Sequence, residues 1–166
     1  MSDAKKITSP LTKDVVKTLK AGDMVLITGT IIAARDAAHK ALTEALKNGE
    51  KLPVDLKNQT IYYVGPTPAR PGDAIGSAGP TTSGRMDKYT PTILDLGVNA
   101  MIGKGYRSKE VVESMKKNCV VYMVLDLLCK SHFPHSQSQQ LLENQQPQVL
   151  RWLQDLDLHK LKLHIF

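Results

Sequence analysis

The chain has 166 residues, enough for one compact domain with a real core. Its two cysteines, Cys119 and Cys129, are too few for a disulfide framework or a Cys-x-x-Cys metal site. The formal charge of +6 is spread along the chain, aromatics are few and no apolar run reaches the length of a membrane span. Neither nucleic acid nor membrane is therefore an expected partner, and a cytoplasmic location is expected.

Thr12 is placed to cap a short helix running to about Lys20, with Val15, Val16 and Leu19 on one face. Met24 to Ile32 is a β-rich apolar run interrupted by Gly29, which reads as one buried strand with room for a close backbone approach. From Arg35 the period changes to a helical one through Ala38, Ala41, Leu42, Ala45 and Leu46, and Asn48-Gly49 stops it. Thr60 to Val64 is a second strand, followed by a long Gly/Pro-rich loop from Gly65 to Pro91. Thr90-Pro91 starts a helix over Thr92 to Ala100, Ser108 caps another to about Lys117, and Cys119 to Leu125 is a strand.

Past Lys130 the composition changes. No glycine follows Gly105, and seven of the eight glutamines lie between Gln137 and Gln154. Leu141-Leu142 and Val149 to Leu158 fit amphipathic helices, while Leu161, Leu163 and Ile165 alternate like a short strand. The expected division is a domain over 1–130 and an atypical Gln/His-rich tail over 131–166.

Three segments combine cations with donor-rich backbone. Arg35 and Asp36 stand where a strand hands over to a helix, an end whose free N–H groups favour anions, and His39 follows one turn later. Thr81, Thr82 and Ser83 offer hydroxyls beside the planar fork of Arg85, and Lys104 sits between Gly103 and Gly105. Each has an ordinary alternative: a surface turn with a solvated arginine, a partly buried polar histidine, a solvated loop lysine. Taken together they suggest a small dianionic ligand, because two carboxylates need two cationic clamps.

Gly29-Thr30-Ile31-Ile32-Ala33-Ala34-Arg35-Asp36-Ala37-Ala38-His39-Lys40, Tyr63-Val64-Gly65-Pro66-Thr67-Pro68 and Gly79-Pro80-Thr81-Thr82-Ser83-Gly84-Arg85-Met86-Asp87 follow one another in order, and Ile102-Gly103-Lys104-Gly105 continues the pattern. This set resembles the β subunit of class I iron–sulfur fumarases and L-tartrate dehydratases, over roughly Leu11 to Met123. The resemblance implies an α/β fold, a swivelling β/β/α domain of three layers with a mixed sheet. It implies a hydro-lyase that hydrates fumarate to L-malate in the tricarboxylic acid cycle, or dehydrates L-tartrate, and is active only with an α subunit holding the [4Fe–4S] cluster. The assembly would be a heterotetramer or would contain a homodimer of this chain. By motif, Arg35, Arg85 and Lys104, with Thr82 and Ser83, would bind the substrate carboxylates. Thr81 would act at the reacting carbons, with Asp36 and His39 as supporting residues and no metal ligand on this chain. The alternative is a non-catalytic anion-binding or regulatory module.

The resemblance stops at the tail. Members of that family continue with a Gly/Ala-rich turn, a helix and further strands, which Leu127-Leu128-Cys129 and the glutamine-rich segment do not match. The expectation is an out-of-frame or alternatively spliced ending that leaves sheet edges open, unless Trp152, Leu153 and Leu156 provide a substitute cover.

Overall fold

The computed structural model describes residues 4–72, 76–125, 151–153 and 162–165. In chain order these form β1 (Lys5–Ser9), α1 (Lys13–Thr18), β2 (Met24–Gly29), β3 (Ile31–Ala33), α2 (Asp36–Lys47), β4 (Thr60–Tyr62), α3 (Thr90–Leu94), β5 (Ala100–Gly103), α4 (Lys109–Asn118), β6 (Val121–Leu125), β7 (Arg151–Leu153) and β8 (Lys162–Ile165), with a 3-10 turn at Ser83–Met86. The fold is α/β, and no helix among the described residues is long and apolar enough to cross a membrane.

Two helix starts follow their caps. The Thr12 hydroxyl accepts from the Val15 N–H at 3.4 Å to open α1, and the Ser108 hydroxyl accepts from the Val111 N–H at 3.4 Å to open α4. Both satisfy a donor that the first helical turn would otherwise leave free.

The sheet order is β1-β2-β8-β6-β5-β4-β3-β7. β1 and β2 run parallel, and β3, β4, β5 and β6 run parallel to one another in sheet order. The two strands beyond residue 150 are antiparallel additions: β8 joins β2 to β6, and β7 lines the outer side of β3. Strand alternation sorts the apolar residues into two cores. Ile31, Ala33, Tyr62, Ala100, Ile102, Val121 and Met123 pack with Val16 of α1. Ile32, Ile61, Met101 and Tyr122 pack with Ala38 and Leu42 of α2 and Ile93 and Leu94 of α3.

The structure departs from the sequence expectations in four places. Met24 to Ile32 is two strands, because Gly29 takes a φ of +93° and turns the chain from beside β1 to beside β4. The close approach is there, since a Cβ on Gly29 would run into the Ser9 carbonyl oxygen. The helix placed over Thr92 to Ala100 stops at Leu94; Gly97, with φ +94°, lies just before β5, whose residues are all buried between β4 and β6. Arg151–Leu153 is strand rather than helix, taking the open side of β3. Finally, β1 was not anticipated; its pattern of only two buried residues in five gives little signal. Leu163 and Ile165 do fall in a strand, β8. Leu141, Leu142, Leu156 and Cys129 lie outside the described residues.

Candidate functional site

Parallel strands end on the same side of a sheet, and the three cation-bearing segments leave from the C-terminal ends of β3, β4 and β5. In open α/β sheets that edge is where ligands bind. Arg35 is the residue before α2, with extended backbone and no side-chain cap. Its side chain lies across Gly65 just beyond β4, where a Cβ would stand 2.8 Å from both its Cδ and one Nη. Gly65 is therefore the residue that lets the guanidinium lie flat there.

The chain returns to this edge through Pro80, which bridges to Val64, and the Thr81 N–H donates to the Tyr63 carbonyl at 2.8 Å. Thr82 then bridges in parallel to Lys104 at the end of β5, and the Ser83 N–H donates to the Lys104 carbonyl at 2.9 Å. The loop segment 80–83 is thus an irregular extension of the sheet, inserted between the ends of β4 and β5. Tyr62 fastens the approach to it, its hydroxyl donating to the Ala78 carbonyl at 2.6 Å.

Asp36 joins two of the cations. Its Oδ1 accepts from Arg85 Nε at 2.9 Å, and its Oδ2 lies 3.4 Å from Arg35 Nε. Both arginines are contacted through Nε and are about half exposed, at 46% and 54%. A guanidinium gripped at Nε still has its two terminal nitrogens to offer as a fork. Lys104 is exposed and makes no ion pair among the described residues. Three cations against one carboxylate leave this edge two positive charges in excess, which matches the charge of a dicarboxylate.

The predicted site residues take different stations. Arg35, Arg85, Thr82 and Lys104 are exposed, while Thr81 and Asp36 are half-buried. Ser83 is fully buried, its hydroxyl 2.8 Å from the Tyr122 hydroxyl and accepting from the Lys104 N–H at 3.2 Å. His39 is also fully buried, packed edge-on to Tyr63 with ring centroids 5.3 Å apart. Its Nδ1 lies 3.1 Å from the Arg35 carbonyl, an acceptor, so Nδ1 carries the proton and Nε2 is a bare acceptor without a partner among the described residues.

Burial is the main influence on His39 and pushes its imidazole down to about 4, against the opposing pull of the Arg35 carbonyl bond. The ordinary value is 6.5, so between the two the unfolded chain takes up a proton that the folded chain refuses. Stability is therefore lost as pH falls through that window, by ~3 kcal/mol when complete. Urea unfolding at pH 7 and pH 4.5 should show wild type losing about 2 kcal/mol more than His39→Gln over the same interval. Equal losses would mean that the histidine is solvated.

Behind the exposed edge lies a buried pair not anticipated from the sequence. The Arg107 side chain is 3% exposed; its Nε donates to Asp87 Oδ1 at 2.8 Å, and its Nη2 lies 2.7 Å from the same oxygen. It also donates to the Tyr63 hydroxyl at 3.2 Å and the Thr90 hydroxyl at 2.9 Å, and stacks over the rings of Tyr63 and Tyr122. Asp87 Oδ2 accepts from the Ser108 N–H at 2.6 Å. The available signal was a pair of tyrosines on apolar strands, since a buried phenol needs a polar partner.

Among the described residues no group of three His, Cys, Asp or Glu could hold a metal ion, and Cys119 is the one cysteine. These residues do not fit a [4Fe–4S] cluster, which takes several thiolates.

Comparison with known proteins follows the same outline. The family model described as Fumarase C-terminus matches residues 2–125. The chain is 42% identical over 116 residues to a Methanocaldococcus jannaschii protein named "Putative L(+)-tartrate dehydratase subunit beta", covering 68% of this chain and 60% of that one. It is 44% identical over 103 residues to fumarate hydratase 2 of Leishmania major, covering 61% of this chain and 18% of the relative. To the aerobic class I fumarate hydratase of Escherichia coli K12 it is 45% identical over 98 residues, covering 58% and 18% respectively. The chain thus spans under two thirds of the first relative and under a fifth of the other two.

Proposed function

The chain belongs to the Fumarase C-terminus family, and on that premise we propose that it is the β-type component of a hydro-lyase acting on a four-carbon dicarboxylate, interconverting fumarate and L-malate. The observation that carries this is the meeting of Arg35, the Thr81–Arg85 turn and Lys104 at one sheet edge with an excess of two positive charges. Removing a proton beside a carboxylate builds negative charge on that carboxylate in the transition state. Cations already fixed in place stabilise that charge more than the ground state's.

In this reading Arg35, Arg85 and Lys104 hold the carboxylates and the exposed Thr82 hydroxyl donates beside them. Thr81, whose hydroxyl has no hydrogen-bond partner among the described residues, faces the reacting carbons and handles the proton. Asp36 orients the two arginines, Ser83 acts indirectly by holding the Lys104 backbone, and neutral His39 supports the start of α2 without changing the charge of the site. The chain acts with an α subunit, as the naming of the M. jannaschii relative as a subunit beta suggests, and the iron–sulfur cluster belongs to that partner.

The test is anaerobic assay of the chain assembled with a cluster-loaded α partner, offered L-malate and L-tartrate separately. Turnover of malate with the higher kcat/KM is expected. Preference for tartrate would move the substrate assignment, and no turnover of either would favour the anion-binding module.

A further inference from the structure

Lys104 is held from behind by a hydrogen-bond relay whose direction can be read. The Tyr122 hydroxyl donates to the Gly105 carbonyl at 3.0 Å, so at its 2.8 Å contact with Ser83 it must accept. The Ser83 hydroxyl therefore donates to Tyr122 and accepts from the Lys104 N–H at 3.2 Å. The relay runs from the Lys104 amide through Ser83 and Tyr122 back to the carbonyl of the next residue, Gly105. It closes around the lysine's own peptide. Glycine at 103 is required for it, because a Cβ there would run into the Ser83 hydroxyl.

We propose that Tyr122 is a positioning residue that fixes Lys104 relative to the turn carrying Arg85, with Arg107 as its brace. The Arg107 guanidinium lies over the Tyr122 ring at 5.1 to 5.3 Å from this ring and that of Tyr63, and its pairing with Asp87 pins the far end of the same turn. Tyr122 itself stands on β6, one strand beyond β5, and is buried. Two clamps on one small dianion must keep a fixed separation, and a displacement on the order of 1 Å in such a site costs up to about a hundredfold in rate. The significance for catalysis rests on the hydro-lyase reading above; the clamping of Lys104 does not.

Tyr122→Phe, in the full chain assembled with its α partner, is expected to raise KM for malate about tenfold. Ser9→Ala is the matched control, since it also removes a buried hydroxyl hydrogen bond, to Thr60 at 3.0 Å at the opposite end of β4. It should lower stability comparably and leave KM unchanged; equal KM effects in the two variants would overturn the proposal. A second measurement needs no turnover. Amide hydrogen exchange should show the Lys104 N–H exchanging about tenfold faster in Tyr122→Phe, with α2 unaffected. Local loss of protection supports the clamp even if wild type turns over no dicarboxylate, whereas unchanged protection at Lys104 overturns it. Should Tyr122→Phe fail to fold, Ser83→Ala interrupts the same relay and is judged by the same exchange result.

Discussion

Arg85→Lys should lower kcat/KM for the dicarboxylate by about a hundredfold in the assembled enzyme, with the protein's stability little changed. Arg85 is about half exposed and meets Asp36 through Nε, leaving its terminal nitrogens as a planar fork. Lysine keeps the charge but offers a single ammonium, which cannot hold Asp36 and a substrate carboxylate in that geometry together. A charge-assisted hydrogen bond contributes about 1.5–3 kcal/mol, and the upper end of that range corresponds to the expected rate loss. Steady-state kinetics on purified variant and wild type measure it. Unchanged kcat and KM would remove Arg85 from the carboxylate site.

Asp87→Asn is the substitution expected to cost the most stability, ~3–5 kcal/mol in urea unfolding at neutral pH. Arg107 is 3% exposed, and its charge is answered by Asp87 at 2.7 Å. Losing the carboxylate strands a buried cation, a far larger penalty than a surface ion pair of the same length would give. Replacing both partners, as Asp87→Leu with Arg107→Met, should recover much of the loss because no buried charge is then left unpaired. If the single variant cost under about 1 kcal/mol, the pair would be solvated in solution. Residual stability should also separate the two roles of this turn: Asp87 holds it down, Arg85 faces outward.

How far the sequence discloses this molecule depends on whether a feature is local. Caps at Thr12 and Ser108, the helical period after Arg35 and the alternation in Leu163 and Ile165 are local, and each appears where its pattern lies. The break at Gly29 is not: one glycine in an apolar run reads as an interruption, and only the pairing of β2 with β1 and β3 with β4 shows that the chain changes neighbours there. β5 was hidden for a related reason. Ala100 to Gly103 is buried on both faces, so it lacks the two-residue alternation that distinguishes a strand from a continuing helix.

At the site, the cations and glycines stood out as motifs, but their convergence depends on the parallel order β3-β4-β5, which no single motif contains. The buried layer was least visible. Arg107, Tyr63 and Tyr122 are separated by up to 59 positions in the chain and meet only through packing, and the full burial of Ser83 and His39 is not disclosed by residue type alone.

The most direct test of a two-clamp carboxylate site is a nitrogen-15 NMR titration of the full chain, following the Arg Nε–H signals and backbone amides while succinate or butyrate is added. Succinate should shift the Nε–H signals of Arg35 and Arg85 together with the amides of residues 81–85 and Lys104, and butyrate at the same concentration should leave Lys104 unmoved. Identical responses to the two acids, or shifts centred away from the ends of β3, β4 and β5, would contradict it.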